Sequence, residues 1–348
     1  MTGKMKTAIM PSLRKMEIIE KDIPIPKNNE VLVKLEYAGV CGSDLHYYEN
    51  GRIGNFIVNY PFILGHECAG VVIETGSEVK NLKPGDRVAL EPGKTCGICE
   101  FCKTGRYNLC KEVIFFATPP VDGIFQEYCT HQADLCFKLP ENVSTMEGAL
   151  IEPLAVGFHA ALTGNAKLGQ RALVCGSGCI GLVSMLALKA LGVSSVYVSD
   201  IVSSRLEKAK ILGAAEIINV REKNLEKAIN NYTGGRGVDL VIETSGVESS
   251  AASAISALKK GGTLVFVGYS SSGMMNLPIG QAMDKELELK TIFRYRHIFP
   301  MAIEAVEKGR VNIKEIVTNT FDFSDIGDAM EKSLLDKEGI VKAVIKIG

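Results

Sequence analysis

The sequence predicts an α/β protein in two parts, a compact β-rich unit followed by a doubly wound parallel sheet. Three observations carry this expectation. Residues 1 to about 150 read as short β runs separated by turns; beyond Pro153 apolar β runs alternate with helical patterns; and a glycine-rich turn lies where one of those strands would hand over to a helix. At 348 residues the chain exceeds the size at which one hydrophobic core stops growing, so two domains are expected.

Composition excludes several classes. Hydrophobic residues make up 46% and charged residues 23%, far from the signature of disorder. Lys plus Arg number 39 against 40 Asp plus Glu, so no net field recruits nucleic acid or anionic lipid, and small ligands are the expected partners. Met1 to Lys15 carries Lys4, Lys6, Arg14 and Lys15 without an apolar run, which is not a secretory signal, and a cytoplasmic location is expected. The uncharged run Ala172 to Leu188 contains Gly176, Gly178 and Gly181 and ends at Lys189; it reads as a buried strand and helix rather than a membrane span. Ten cysteines in such a chain point to metal or catalysis rather than disulfides.

The front part offers β runs at Glu30 to Ala38, Ala69 to Thr75, Arg87 to Leu90 and Gly123 to Thr130, with Lys83-Pro84-Gly85-Asp86 as a turn between two of them. Behind Pro153, strands are expected at Arg171 to Cys175, Ser195 to Ser199, Val238 to Glu243 and Gly262 to Val267. Helices are expected near 179 to 191, 203 to 212 and 248 to 258. From about 288 a helix near Pro300 to Lys308 and β runs at Ile316 to Phe323 and Ile340 to Ile347 could extend either domain.

Gly176-Ser177-Gly178-Cys179-Ile180-Gly181 fits G-x-G-x-x-G between a strand and a helix, where glycines let the backbone approach a pyrophosphate and the helix N-terminus stabilises it. The next strand ends at Asp200, at the interval where a carboxylate accepts from an adenosine ribose. Asp200 would repel a 2'-phosphate, favouring NAD over NADP, with Arg205 nearby. Ser245-Gly246 and Val267-Gly268 end later strands, where a nicotinamide would reach across the sheet.

Cys96, Cys99, Cys102 and Cys110 form C-x2-C-x2-C-x7-C, a set suited to a structural tetrahedral zinc whose closed shell leaves no place for substrate. An iron–sulfur cluster accepts the same ligands. A second set is dispersed: Cys41, His66, Glu67 and Glu152 would make the mixed shell of a catalytic zinc, although each alone reads as an ordinary core or turn residue.

Gly65-His-Glu-x-x-Gly70-x5-Gly76-x-x-Val79, with the cysteine quartet and the Gly176 fingerprint in order, resembles the zinc-containing alcohol dehydrogenases, the medium-chain dehydrogenase/reductase family. The segments Cys41 to Tyr47, Phe115 to Gly123, Ala149 to Leu154 and Phe293 to Tyr295 resemble its polyol (sorbitol/xylitol) branch. The resemblance implies a GroES-like β-barrel catalytic domain over residues 1–152, a Rossmann NAD-binding domain over 153–288, and a segment 289–348 returning to the first. It implies zinc- and NAD-dependent oxidation of a polyol to a ketose, by hydride transfer from a zinc-bound alkoxide to the nicotinamide. Other secondary-alcohol activities, on threonine or butanediol, and a non-catalytic NAD-binding protein are the rivals. Cys41, His66 and Glu67 would ligate the catalytic zinc, and Glu152 would be a fourth ligand or hold the metal's water. Ser43 and His46 would relay the proton. Tyr47, Phe116, Thr118, Arg294 and Tyr295 would line the polyol pocket, and Phe293 would touch the cofactor. Two zinc ions per subunit and a homotetramer complete what the resemblance implies.

Overall fold

A computed structural model describes residues 2–270 and 272–348. The chain divides into two compact units. One comprises residues 1–152, 299–309 and 317–348; the other comprises 153–298 and 310–316.

The first unit is built on a seven-stranded sheet. Its path runs Cys136–Lys138, Arg87–Leu90, Glu67–Thr75, Glu30–Gly39, Ala343–Lys346 and Asn319–Asp322. Glu30–Gly39 is the hub. One edge pairs antiparallel with Glu67–Thr75; on the other, Tyr128–Gln132 covers residues 30–34 and Ala343–Lys346 covers 37–39. This strand reads EVLVKLEYAG and is buried along most of its length, as a central strand should be. Its inner neighbours Val31, Val33 and Leu35 join Leu64, Cys68, Val72, Val88, Leu90 and Phe125 in the core. The β run expected over Gly123 to Thr130 begins later, at Tyr128. The N–H groups of residues 123–125 instead donate to the carbonyls of Ile63, Gly65 and Leu64 in a neighbouring loop, and the Phe125 carbonyl accepts from Ala8.

The second unit is a six-stranded parallel sheet in the order Glu216–Asn219, Ser195–Asp200, Arg171–Cys175, Val238–Glu243, Leu258–Phe266, Glu288–Thr291. Numbered within the sheet, this is 3-2-1-4-5-6, the dinucleotide-binding arrangement, whose switch point lies between Arg171–Cys175 and Val238–Glu243. Both central strands are almost wholly buried, as helices on both faces require. The Cys179–Ala190 helix is apolar around its circumference and buried from Gly181 to Leu188. The boundary expected at 288/289 differs from the observed one. Glu288–Thr291 is the sixth parallel strand, and the second unit continues to Ile298 and includes residues 310–316. No described helix is long and apolar enough to cross a membrane.

Candidate functional site

The register of two strands assembles the dispersed set. Gly39 stands opposite Glu67, so Cys41, just past the end of one strand, and His66, just before the start of the other, finish side by side. Cys41 Sγ, a His66 ring nitrogen and a Glu67 carboxylate oxygen lie within 4.8 Å of one another; His66 and Glu67 are buried and Cys41 is half-buried. A tetrahedral zinc, with sulfur at about 2.3 Å and nitrogen or oxygen at about 2.0–2.2 Å, keeps its ligand atoms about 3.3–3.7 Å apart. One thiolate, one imidazole and one carboxylate at this spacing fit such an ion.

Asp44 completes the arrangement. Cys41 precedes the Gly42–Asn50 helix, and Asp44 at its third position accepts from the Cys41 backbone N–H at 3.0 Å and the Gly65 N–H at 2.9 Å. One carboxylate thereby ties together the two segments that carry Cys41 and His66. The same carboxylate is fully buried and 3.6 Å from His66 Nδ1. Burial pushes the Asp44 carboxyl up, but the His66 ring and the two amides outweigh it and hold Asp44 below its ordinary value. His66 is carried well above its own ordinary value against burial, because Asp44 and Cys41 surround it with negative charge. Such surroundings favour a cation. The capping pattern, an acid three residues after the helix-capping Cys41, is the signal that could have singled out Asp44.

Of the other residues that sequence reasoning selected in this unit, Ser43 is half-buried and His46 exposed on the same helix. Tyr47 is buried, edge-on to Phe62 with ring centroids 6.4 Å apart. Phe116 packs on His131 at 4.7 Å, and Thr118 bridges to Val121. The ring of buried Phe115 lies 5.8 Å from that of His66. Glu152, buried near the start of the Ile151–Thr163 helix, is not one of the three grouped ligands. It lies close enough to Cys68 to help raise that thiol, after burial and the neighbouring Cys129 and Cys136.

Cys96, Cys99, Cys102 and Cys110 converge more tightly. Their sulfurs lie 3.5 Å (Cys99 to Cys102), 3.9 Å (Cys96 to Cys102) and 3.5 Å (Cys110 to Cys96) apart. A four-thiolate zinc with 2.3 Å bonds has edges of about 3.8 Å, so the quartet suits one ion, whereas a cluster spreads its thiolates over separate irons. The lobe is tied to the barrel core by the Tyr107 hydroxyl, which donates to Glu91 Oε1 at 2.7 Å. Burial pushes the Glu91 carboxyl up to about 6. The Glu91 carbonyl in turn lies 2.8 Å from Nε2 of buried His131.

In the second unit the Gly176 to Gly181 turn opens the Cys179–Ala190 helix, with Cys179 and Ile180 in its first turn. Gly181 must lack a side chain because a Cβ there would collide with the Gly176 carbonyl, the close strand-to-helix packing that the fingerprint encodes. Asp200 ends its strand beside this turn and accepts from Ser177. The Arg205 guanidinium comes within 3.7 Å of where a Gly178 Cβ would stand. Ser245 and Gly246 donate to the fully buried Glu243, and the N–H groups of Val267 and Gly268 donate to its carbonyl. These groups lie at the carboxyl ends of neighbouring strands, where a dinucleotide is expected. Phe293 is half exposed with the Arg294 guanidinium 4.9 Å from its ring centroid, and Tyr295 is buried.

Comparison with known proteins bears on both units. Residues 27–141 match the alcohol dehydrogenase GroES-like domain, and residues 179–308 match the zinc-binding dehydrogenase domain. The chain belongs to the zinc-dependent medium-chain dehydrogenase family. Within that family it is 44% identical to the sorbitol dehydrogenase of Bacillus subtilis, over 98% of this chain and 97% of that one. An Escherichia coli dehydrogenase of unknown specificity superposes with a TM-score of 0.93 at 39% identity, covering 99% of this chain and 100% of that one. An alcohol dehydrogenase from E. coli CFT073 solved with NADH gives 0.91 at 31% identity, with 99% of each chain covered. The family member described here therefore has the GroES-like and Rossmann parts that the resemblance implied.

Proposed function

We propose that this dehydrogenase oxidises a secondary hydroxyl of a polyol such as sorbitol or xylitol to the ketose, with NAD as acceptor. The observation that carries the reading is the convergence of Cys41, His66 and Glu67 in a chain 44% identical to a sorbitol dehydrogenase over nearly its whole length. The relative solved with NADH and the ribose-side Asp200 support NAD. Cys41, His66 and Glu67 would hold a catalytic zinc, and the cysteine quartet a structural one. Bound zinc would supply Lewis acidity that makes a substrate hydroxyl easier to deprotonate, and bound NAD would accept hydride.

The chain's own residues do the rest. Asp44 orients His66. Ser43 and the exposed His46 carry the proton away from the substrate hydroxyl, with Glu152 as the alternative base. Tyr47, Phe116, Thr118, Arg294 and Tyr295 supply hydroxyl partners and aromatic walls to a polyol. Gly176, Gly178, Cys179, Ile180 and Gly181, with Arg205, hold the dinucleotide's pyrophosphate and adenosine, and Ser245, Val267, Gly268 and Phe293 flank its nicotinamide half. The same proposal makes the enzyme a cytoplasmic homotetramer acting on a small molecule, without nucleic-acid or membrane partners.

The test is the rate of NAD reduction with sorbitol, xylitol, threonine, 2,3-butanediol and a primary alcohol compared side by side. Polyol turnover that a chelator abolishes is the expected result. Activity confined to threonine or butanediol would discard the pocket assignment, and inactivity on all five would discard the proposal. Glu152→Gln separates the two proton routes: a large fall in turnover selects Glu152, and an unchanged rate leaves Ser43 and His46.

A further inference from the structure

Ser177, inside the glycine fingerprint, has no part in the functions above, yet it is fully buried and spent on one neighbour. Its hydroxyl donates to Asp200 Oδ2 at 2.8 Å, and its backbone N–H donates to the same oxygen at 2.5 Å. The other oxygen, Oδ1, accepts from the N–H groups of Ile201 at 2.7 Å and Val202 at 2.9 Å. A carboxylate offers about four lone-pair sites. The chain's own donors fill all four.

A ribose arriving at Asp200 therefore meets an acceptor already satisfied. Three of the four donors are backbone N–H groups, fixed by the turn after the strand and by the glycine loop. Only the Ser177 hydroxyl can turn away by rotating about its own side-chain bonds. It is also the one donor of the same chemical kind as a ribose hydroxyl. We propose that the Ser177 hydroxyl is an internal stand-in for the adenosine 2'-hydroxyl of the cofactor. It satisfies Asp200 when no cofactor is bound and is displaced when one binds. Ser177 thereby sets how strongly the enzyme senses the 2' position. The inference rests on the reading of Asp200 as the ribose-binding acid.

Two consequences follow from simple exchange. The native enzyme gains little from a 2'-hydroxyl, since one hydroxyl replaces another. A protein without the Ser177 hydroxyl gains a full charge-assisted hydrogen bond from it.

The experiment is equilibrium binding of NAD and of its 2'-deoxyadenosine counterpart to the zinc-loaded native protein, Ser177→Ala and Asp200→Ala. The native protein is expected to separate the two ligands by less than about threefold, and Ser177→Ala by about tenfold or more, while binding NAD several-fold tighter. Equal discrimination in the native protein and Ser177→Ala overturns the proposal. So does weaker NAD binding by Ser177→Ala, which would make the serine a positioning residue for Asp200. Should Ser177→Ala fail to fold, a tenfold or larger 2'-deoxy penalty in the native protein is itself sufficient to overturn it. Asp200→Ala tests the underlying reading separately: native affinity and native discrimination there would remove Asp200 from the ribose site whatever Ser177 does.

Discussion

Lys342 and Glu67 form an ion pair in which each side chain is only 1% exposed. Three adjacent strands create it. Glu30–Gly39 lies between Glu67–Thr75 and Ala343–Lys346, with Gly39 opposite both Glu67 and Val344. Gly39 leaves the room: a Cβ there would collide with the Glu67 carboxylate and press on the Lys342 stem. The Lys342 ammonium also donates to the Val40 carbonyl at 2.9 Å. One carboxylate of the proposed zinc set thus already faces a buried cation.

Lys342→Met should destabilise the metal-free protein by about 3–5 kcal/mol, because a buried carboxylate loses its counter-charge. Zinc should restore most of that loss by supplying a charge to the same group. Thermal unfolding with and without zinc checks this. Equal destabilisation of both forms would reduce Lys342 to packing.

Asp44→Asn keeps the shape but not the charge, and its amide can accept at only one oxygen where the acid accepts at two. Zinc affinity should fall about 10–100-fold through misorientation of His66. Competition with a chromogenic chelator measures it; an unchanged affinity would detach Asp44 from the metal.

Acid should weaken the fold above the range in which ordinary carboxylates titrate. Burial holds His131 down to about 4, and burial with nearby Arg296 does the same to His159. The unfolded chain takes up these two protons near 6.5, so their contribution is complete above that pH and is lost as pH falls toward 4. Glu91, raised to about 6 by burial, acts in the opposite sense: its contribution is present below about 4.5 and lost as pH rises through 6. Two histidines oppose one carboxylate. Between pH 6 and 4.5 the net loss should be roughly 1–2 kcal/mol, allowing for partial screening at His159. The urea midpoint should fall over that interval, and His131→Gln should flatten the fall. A level or rising midpoint in the native protein would contradict the balance.

Cys99→Ser should halve the zinc content from two ions to one and open the loop between Gly93 and Phe115 to protease, while the other set keeps its metal. Elemental analysis with limited proteolysis decides it. A protein retaining both metals would show that three thiolates suffice.

The glycine turn, the cysteine quartet and most of the parallel strands could be read from sequence because each is local: ligands a few residues apart, or one strand, turn and helix in succession. Cys41, His66 and Glu67 could not be joined that way. Their proximity depends on a strand register, Gly39 opposite Glu67, that no spacing encodes, and resemblance alone linked them. Lys342 was invisible for the same reason, since in an apolar run near a strand it reads as one more edge lysine. The sixth strand, Glu288–Thr291, carries Glu288 and Lys290 at a sheet edge and shows neither a buried-strand run nor a helical period.

The hub strand of the first unit has a kinetic side. When Gly39 pairs with Val344 it closes a loop of about three hundred residues that contains the whole of the second unit. The equilibrium penalty of such a loop rises only about 0.6 kcal/mol per doubling in length, so insertions in the second unit should be tolerated without loss of stability. Folding speed is another matter, because pairings this distant in sequence form slowly. The parallel sheet can assemble from neighbouring segments first. On that order Lys342 should meet Glu67 among the final contacts made.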